Sequence, residues 1–78
     1  MTLQEALNYK PVGMYMYDST FLTVAEEAIW KQEATVEELF KLVQLCDEAY
    51  GTEVDYTTKT PAEWVADYRE DIAVLFED

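Results

Sequence analysis

Thr35-Val36-Glu37-Glu38-Leu39-Phe40-Lys41-Leu42-Val43-Gln44-Leu45-Cys46-Asp47-Glu48-Ala49-Tyr50-Gly51 is the stretch that decides the fold. Val36, Leu39, Phe40, Val43, Cys46 and Tyr50 recur every three or four positions, the spacing that lines up side chains on one helix face. Leu42, Leu45 and Ala49 widen that face. A broad apolar face touches more than one neighbour, so this helix is expected at the centre of the molecule. Both of its ends are marked. The Thr35 hydroxyl can accept from the N–H three residues on, while Glu38 reaches back to the Thr35 N–H. Gly51 stands where a left-handed C-cap belongs.

The same Thr-x-x-Glu signal appears four times, at Thr2–Glu5, Thr23–Glu26, Thr35–Glu38 and Thr60–Glu63. Each predicts a helix start, and each acid falls at the positive end of its helix dipole. Thr60 is followed by Pro61, whose missing N–H is harmless at the first helical position. The first helix, over about residues 3–9, is short and is stopped by Pro11 and Gly13. The second is expected from about Val24 to Glu33, with Val24, Ala28 and Ile29 inward. The last runs from Pro61 to about Phe76 on a stripe of Trp64, Tyr68, Ile72, Leu75 and Phe76, with Val65 alongside.

Between the third and last helices, Val54 and Tyr56 alternate with Glu53 and Asp55, a short strand signal. Residues 52–58 and 12–17 are therefore candidates for a two-stranded β-ribbon, which would need helices behind it. The expected fold class is mainly α, a compact bundle of three to four helices. Seventy-eight residues make one domain, spanning 1–78.

Charge is the most unusual property. Seventeen acids face five bases, with no histidine, for a net charge of −12. Residues 1–22 hold two acids and one base, so fifteen acids and four bases fall after them. Excess negative charge repels phosphates and anionic lipids, which excludes direct binding to nucleic acid or an acidic membrane surface. A basic partner is expected, and its capture would be accelerated by electrostatic steering. No run approaches the roughly 20 apolar residues that span a bilayer. The N-terminal Met1-Thr2-Leu3-Gln4-Glu5 lacks the features of a signal peptide. The single cysteine, Cys46, allows no intrachain disulfide, and a cytoplasmic location is expected.

The missing residues restrict the chemistry. Without histidine there is no imidazole base, no Ser-His or Cys-His pair and no histidine metal site. One thiol cannot build a zinc site, and Cys46 on an apolar helix face reads as a small buried hydrophobe. Two glycines make no phosphate loop. Asp47 to Asp55 has some parts of a calcium loop and not its spacing. No catalytic, cofactor or metal residue is assigned, and the chain is expected to bind and not to catalyse.

The candidate binding residues are acids and tyrosines. Glu63, Asp67, Glu70 and Asp71 fall at i, i+4, i+7 and i+8 of the last helix. The one-turn steps of that stripe, Glu63 to Asp67 and Asp67 to Asp71, are each about 6 Å along the axis, the order of the phosphate spacing on a nucleic-acid strand. Further acids expected on exposed faces are Glu26, Glu27, Glu33, Glu37 and Glu38, and again Asp47 and Glu48. Like charges at i,i+4 are unfavourable and a merely soluble helix intersperses lysines, so the imbalance points to a functional acidic surface. Met14-Tyr15-Met16-Tyr17 is the other candidate, since Tyr15 and Tyr17 would offer amphipathic contact area to a partner or a second copy.

Small size, acidity, abundant tyrosine and the stripe Glu63-Asp67-Glu70-Asp71 resemble the small phage-encoded inhibitors of the anti-CRISPR and anti-restriction type, several of which are DNA mimics. The resemblance is one of composition, with no family motif to carry residues across. It implies occupation of a basic nucleic-acid groove in a host complex, in the host cytoplasm. Two other readings are kept. One is an adaptor that docks, as a homodimer or on a partner, through its Met/Tyr segment. The other rests on Asp18-Ser19, which is similar to the phosphopantetheine site of acyl carrier proteins. Thr20 stands where that motif has Leu, however, and the Ser comes earlier than in that family.

Overall fold

The computed structural model describes residues 1–12 and 18–77. Among them are four helices: α1 (Leu3–Leu7), α2 (Ser19–Lys31), α3 (Val36–Ala49) and α4 (Pro61–Phe76). Three start where the Thr-x-x-Glu signal places them. In each, the Thr hydroxyl accepts from the Glu N–H and the Glu carboxylate accepts from the Thr N–H, at Thr2, Thr35 and Thr60.

The fourth signal is read differently by the structure. α2 begins at Ser19, after Asp18, so Thr23 lies inside the helix, where its hydroxyl donates to the Ser19 carbonyl at 2.9 Å. The reason is apolar periodicity. Phe21, Leu22, Ala25, Ala28 and Ile29 form one buried face, and starting at Val24 would forfeit its first two members. Glu26 is thereby carried onto the buried side of the helix. α2 ends at Gln32, which adopts the left-handed conformation with φ 54°.

α2, α3 and α4 each pack against the other two, and α1 packs on α2 and α3. The Cα radius of gyration is 11.5 Å, the value of about 11.5 Å expected for a compact chain of this length. α3 is central as predicted. Its buried face is Leu39, Leu42, Val43, Cys46 and Ala49, while Val36 and Tyr50 at its two ends are exposed. On α4 the core takes Val65, Tyr68 and Ile72, with Trp64 half-buried. Leu75 and Phe76, expected inward, are exposed, although the Phe76 ring stacks on Trp30 of α2 with centroids 5.5 Å apart.

The expected β-ribbon is absent: among the described residues there is no strand. Asp55 takes residues 52–58 out of the extended form. Its carboxylate accepts from the Thr57 N–H at 3.0 Å and the Thr57 hydroxyl at 2.6 Å, closing an Asx turn. The Tyr56 ring then lies edge-on to Phe40 and Trp64, with centroids 5.7 and 5.3 Å away. Of the other half, residues 13–17 are outside the described residues and Val12 is exposed.

Gly51 closes α3 at φ 75°, with nothing within 4 Å of the position a Cβ would take. Replacement therefore costs only backbone strain. Gly51→Ala is expected to lose about 1 kcal/mol in urea denaturation, and Gly51→Asn less, since Asn tolerates the left-handed region. A neutral Gly51→Ala would mean that the turn relaxes to another conformation.

Candidate acidic groove

α3, α4 and the loop between them enclose a groove of about 430 Å³ that includes Asp47, Lys59, Trp64, Asp67, Glu70 and Asp71. Each element supplies its part for a local reason. The α4 spacing puts Asp67, Glu70 and Asp71 on one side of that helix. Asp47 joins from the last turn of α3, one residue beyond the buried Cys46. The loop is pinned by Tyr56, whose hydroxyl donates to Asp47 at 2.5 Å, and by the Trp64 indole N–H, which donates to the Tyr56 carbonyl at 3.1 Å.

The groove is negative and its wall is aromatic. Burial pushes the Asp47 carboxyl above the usual carboxylate range; the Tyr56 hydrogen bond opposes that shift, and the charge of Asp71 across the helix pair adds to it. One cation already sits at the edge. Lys59 pairs with Asp67, and its ammonium lies 4.7 Å from the centre of the Trp64 ring. Within the chain, this wall thus holds a positive head near an indole ring, paired with a carboxylate. Arg69, the only base in α4, is engaged elsewhere. Its Nε and Nη2 both donate to the Trp30 carbonyl at 3.1 Å, satisfying a carbonyl in the last turn of α2.

The other predicted site residues are dispersed. The Glu63 carboxylate accepts from the N–H and hydroxyl of Thr60 in the capping box, and Glu38 does the same for Thr35. Glu27 pairs with Lys31 at 2.7 Å. Glu37 is exposed in the first turn of α3. Glu26, expected on an exposed face, is only 6% exposed, because α2 starts a turn earlier than the capping signal suggests. Tyr15 and Tyr17 lie outside the described residues. Asp47, which the sequence reading counts among the further exposed acids and not with the α4 stripe, is brought beside that stripe by the packing of α3 on α4; Lys59 is the groove member that the sequence reading passes over.

Two further features bear on chemistry. Cys46 is buried, and burial pushes its thiol up to about 12, so the thiolate is not accessible at neutral pH. Asp18 is also buried. Its Oδ1 accepts from the Tyr9 hydroxyl at 2.6 Å, and it serves as the residue before α2, with exposed Ser19 opening the helix. Among the described residues no group of three or more acidic or thiol side chains is placed to hold a metal ion, and no helix is long and apolar enough to cross a membrane.

The surface and the fold together define an acidic helical bundle whose α3–α4 groove is lined in part by carboxylates and an indole. Comparison of this chain with protein-family models, with curated proteins and with solved structures gives no match.

Asp47 also sets a pH dependence. Its pKa in the fold is raised, so the fold is penalised once this group ionises and recovers stability as pH falls through the raised value. Glu5 and Asp55 have lowered pKa values, from hydrogen bonds donated by Thr2 and by Thr57. Their contribution is present above the ordinary carboxylate range and is lost on acidification below it. On acidification the Asp47 penalty is relieved before the Glu5 and Asp55 contributions are lost, so Tm is expected to pass through a maximum on the acid side of neutrality. Asp47→Asn keeps an acceptor for Tyr56 and should raise Tm at pH 7 by roughly 2–4 °C, about 0.5 kcal/mol after allowing for solvent screening. A Tm that only falls as the pH is lowered from 7, or an unchanged Tm for Asp47→Asn, would contradict this.

Proposed function

We propose that this chain is an inhibitor protein of the anti-CRISPR or anti-restriction type. It occupies a Lys/Arg-lined nucleic-acid-binding surface of a host protein or complex and excludes nucleic acid from it, by binding and without turnover. The observation that supports the reading is the α3–α4 groove, where Asp47, Asp67, Glu70 and Asp71 come together from two helices on a chain of net charge −12. Arginine forks from a partner would pair with these carboxylates, and their stems would lie on the Trp64 face as the chain's own Lys59 does.

The test is a competition. A basic target captured from host cells is loaded with a fluorescent DNA or RNA duplex, and the chain is titrated against it. Displacement is expected at stoichiometric amounts, weakening about tenfold or more between 50 and 200 mM salt, because the pairs are partly exposed. A target without a cationic cleft, or displacement indifferent to salt, would sink the proposal.

A further inference from the structure

A second concavity, of about 280 Å³, lies over the buried Glu26 and is framed by Tyr50, Tyr68, Asp71, Val74 and Leu75. We infer that it is a socket for one arginine side chain of the basic partner. The inference rests on the proposed function for the partner's charge; Asp71 and Tyr68 border both concavities, while Glu26, Tyr50, Val74 and Leu75 line this one and not the α3–α4 groove.

Glu26 is the first argument. It is 6% exposed, yet the ion pairs of the described residues leave it without a cation. Buried carboxylates are ordinarily paired with a base. Its hydrogen bonds come from the Tyr68 hydroxyl at 2.9 Å and the Tyr50 hydroxyl at 3.1 Å, and both fall on Oε2. Among the described residues Oε1 accepts none. The two tyrosines hold the carboxylate in the lining of the cavity with one oxygen still able to accept.

The rim is the second argument. Val74 and Leu75 are 82% and 62% exposed, large aliphatic side chains left in water beside the opening. An apolar rim above a buried charge matches an amphipathic guest, with a methylene stem and a cationic head. The volume falls just under the roughly 300–1,000 Å³ of small-molecule pockets, which suits a single side chain. A planar guanidinium also stacks on tyrosine rings and is less strongly hydrated than an ammonium, which favours arginine over lysine. A second copy of this chain is a poor occupant, since both copies would carry −12. An apolar peptide would leave the Glu26 charge buried and unanswered.

The experiment is an NMR titration of the isotopically labelled chain with the peptide Ac-Gly-Arg-Gly-NH2. Controls are the citrulline peptide, equal in shape and uncharged, and the lysine peptide. The Val74 and Leu75 methyl signals and the Tyr50 ring are expected to shift saturably, with Kd in the low millimolar range. The citrulline peptide should bind about tenfold or more weakly, and the lysine peptide weaker than arginine. Glu26→Gln keeps acceptors for both tyrosines and should weaken arginine binding about tenfold, whereas Glu70→Gln, in the other groove, should leave it within about twofold. Thermal melts establish that each variant folds. If Glu26→Gln does not fold, Leu75→Ser removes the exposed rim and should weaken binding about threefold. Arginine binding unchanged by both variants, equal shifts with citrulline, or tighter binding of lysine would overturn the socket. The two readings fail separately. Glu26-dependent arginine binding with no displacement of nucleic acid would refute the mimic alone. Displacement with arginine binding indifferent to Glu26 and Leu75 would refute the socket alone.

Discussion

Phe21→Ala is expected to leave the chain close to unfolded at 37 °C. The ring is fully buried in the cluster where α1, α2 and α3 meet. Truncating a buried phenylalanine costs about 3–5 kcal/mol, the transfer loss plus the cavity left behind. A domain of this length has a total of about 4–12 kcal/mol to lose. The cost here should lie at the upper end, because the ring also holds a polar group in place. Phe21 stacks on Tyr9 with centroids 4.6 Å apart and planes 10° from parallel. Tyr9 in turn donates to Asp18, whose second carboxylate oxygen is buried with no hydrogen-bond partner among the described residues. Without the stack, Tyr9 is free to leave, and Asp18 would lose its shortest hydrogen bond. Phe21→Leu should cost about 1–1.5 kcal/mol by comparison. Val74→Ala, on an exposed residue, should change stability by less than about 0.5 kcal/mol. Urea denaturation followed by circular dichroism checks all three. A loss below about 1.5 kcal/mol for Phe21→Ala would show that α1 and Asp18 are held by something other than this ring.

The helices were legible in the sequence where local and tertiary demands agree. Thr35 and Thr60 stand before regular apolar patterns, and α3 and α4 start one residue after each. At Thr23 the same letters mislead, because Phe21 and Leu22 extend the apolar period upstream and burial of that face outweighs one capping box. The alternation of residues 53–56 imitates a strand, but Asp55 followed two residues later by Thr57 is a turn signal of equal strength. What tips the balance is the place made for Tyr56 by Phe40 and Trp64, which lie 16 residues before and 8 after it and cannot be seen in a local window. The same limit applies to the site. Asp67, Glu70 and Asp71 share a helix, so spacing alone groups them. Asp47 joins them only once α3 and α4 pack. Glu26 looked like one more surface acid, and its burial follows from the helix start, which the capping signal concealed.

Asp67, Glu70 and Asp71 replaced together by lysine should abolish the proposed competition with nucleic acid. Each change alters the charge by two units, so the net charge moves from −12 to −6 and the chain stays strongly acidic. The fold should tolerate it. Glu70 and Asp71 are exposed, the Asp67–Lys59 pair is a surface pair worth about 0–1 kcal/mol, and relief of like charge along α4 works in the opposite direction. For the interface the effect is much larger. Three attractive contacts with a cationic cleft become three repulsive ones, and coupling energies for close charge pairs run from about 1.5 kcal/mol upward, so affinity should fall at least about a hundredfold near 0.1 M salt. The dependence on salt should flatten as well, because fewer pairs form. Total charge alone could produce a drop of this sign, and a control outside the groove, compared per substitution, separates the two causes. Glu33→Lys with Glu37→Lys shifts charge in the same direction at residues that do not line the groove, Glu37 being exposed in the first turn of α3. Screening over a Debye length of about 8–10 Å should hold that loss to roughly threefold. If the control weakens binding as much per substitution as the triple variant, the partner senses only overall acidity. The α3–α4 groove would then not be the face that meets it.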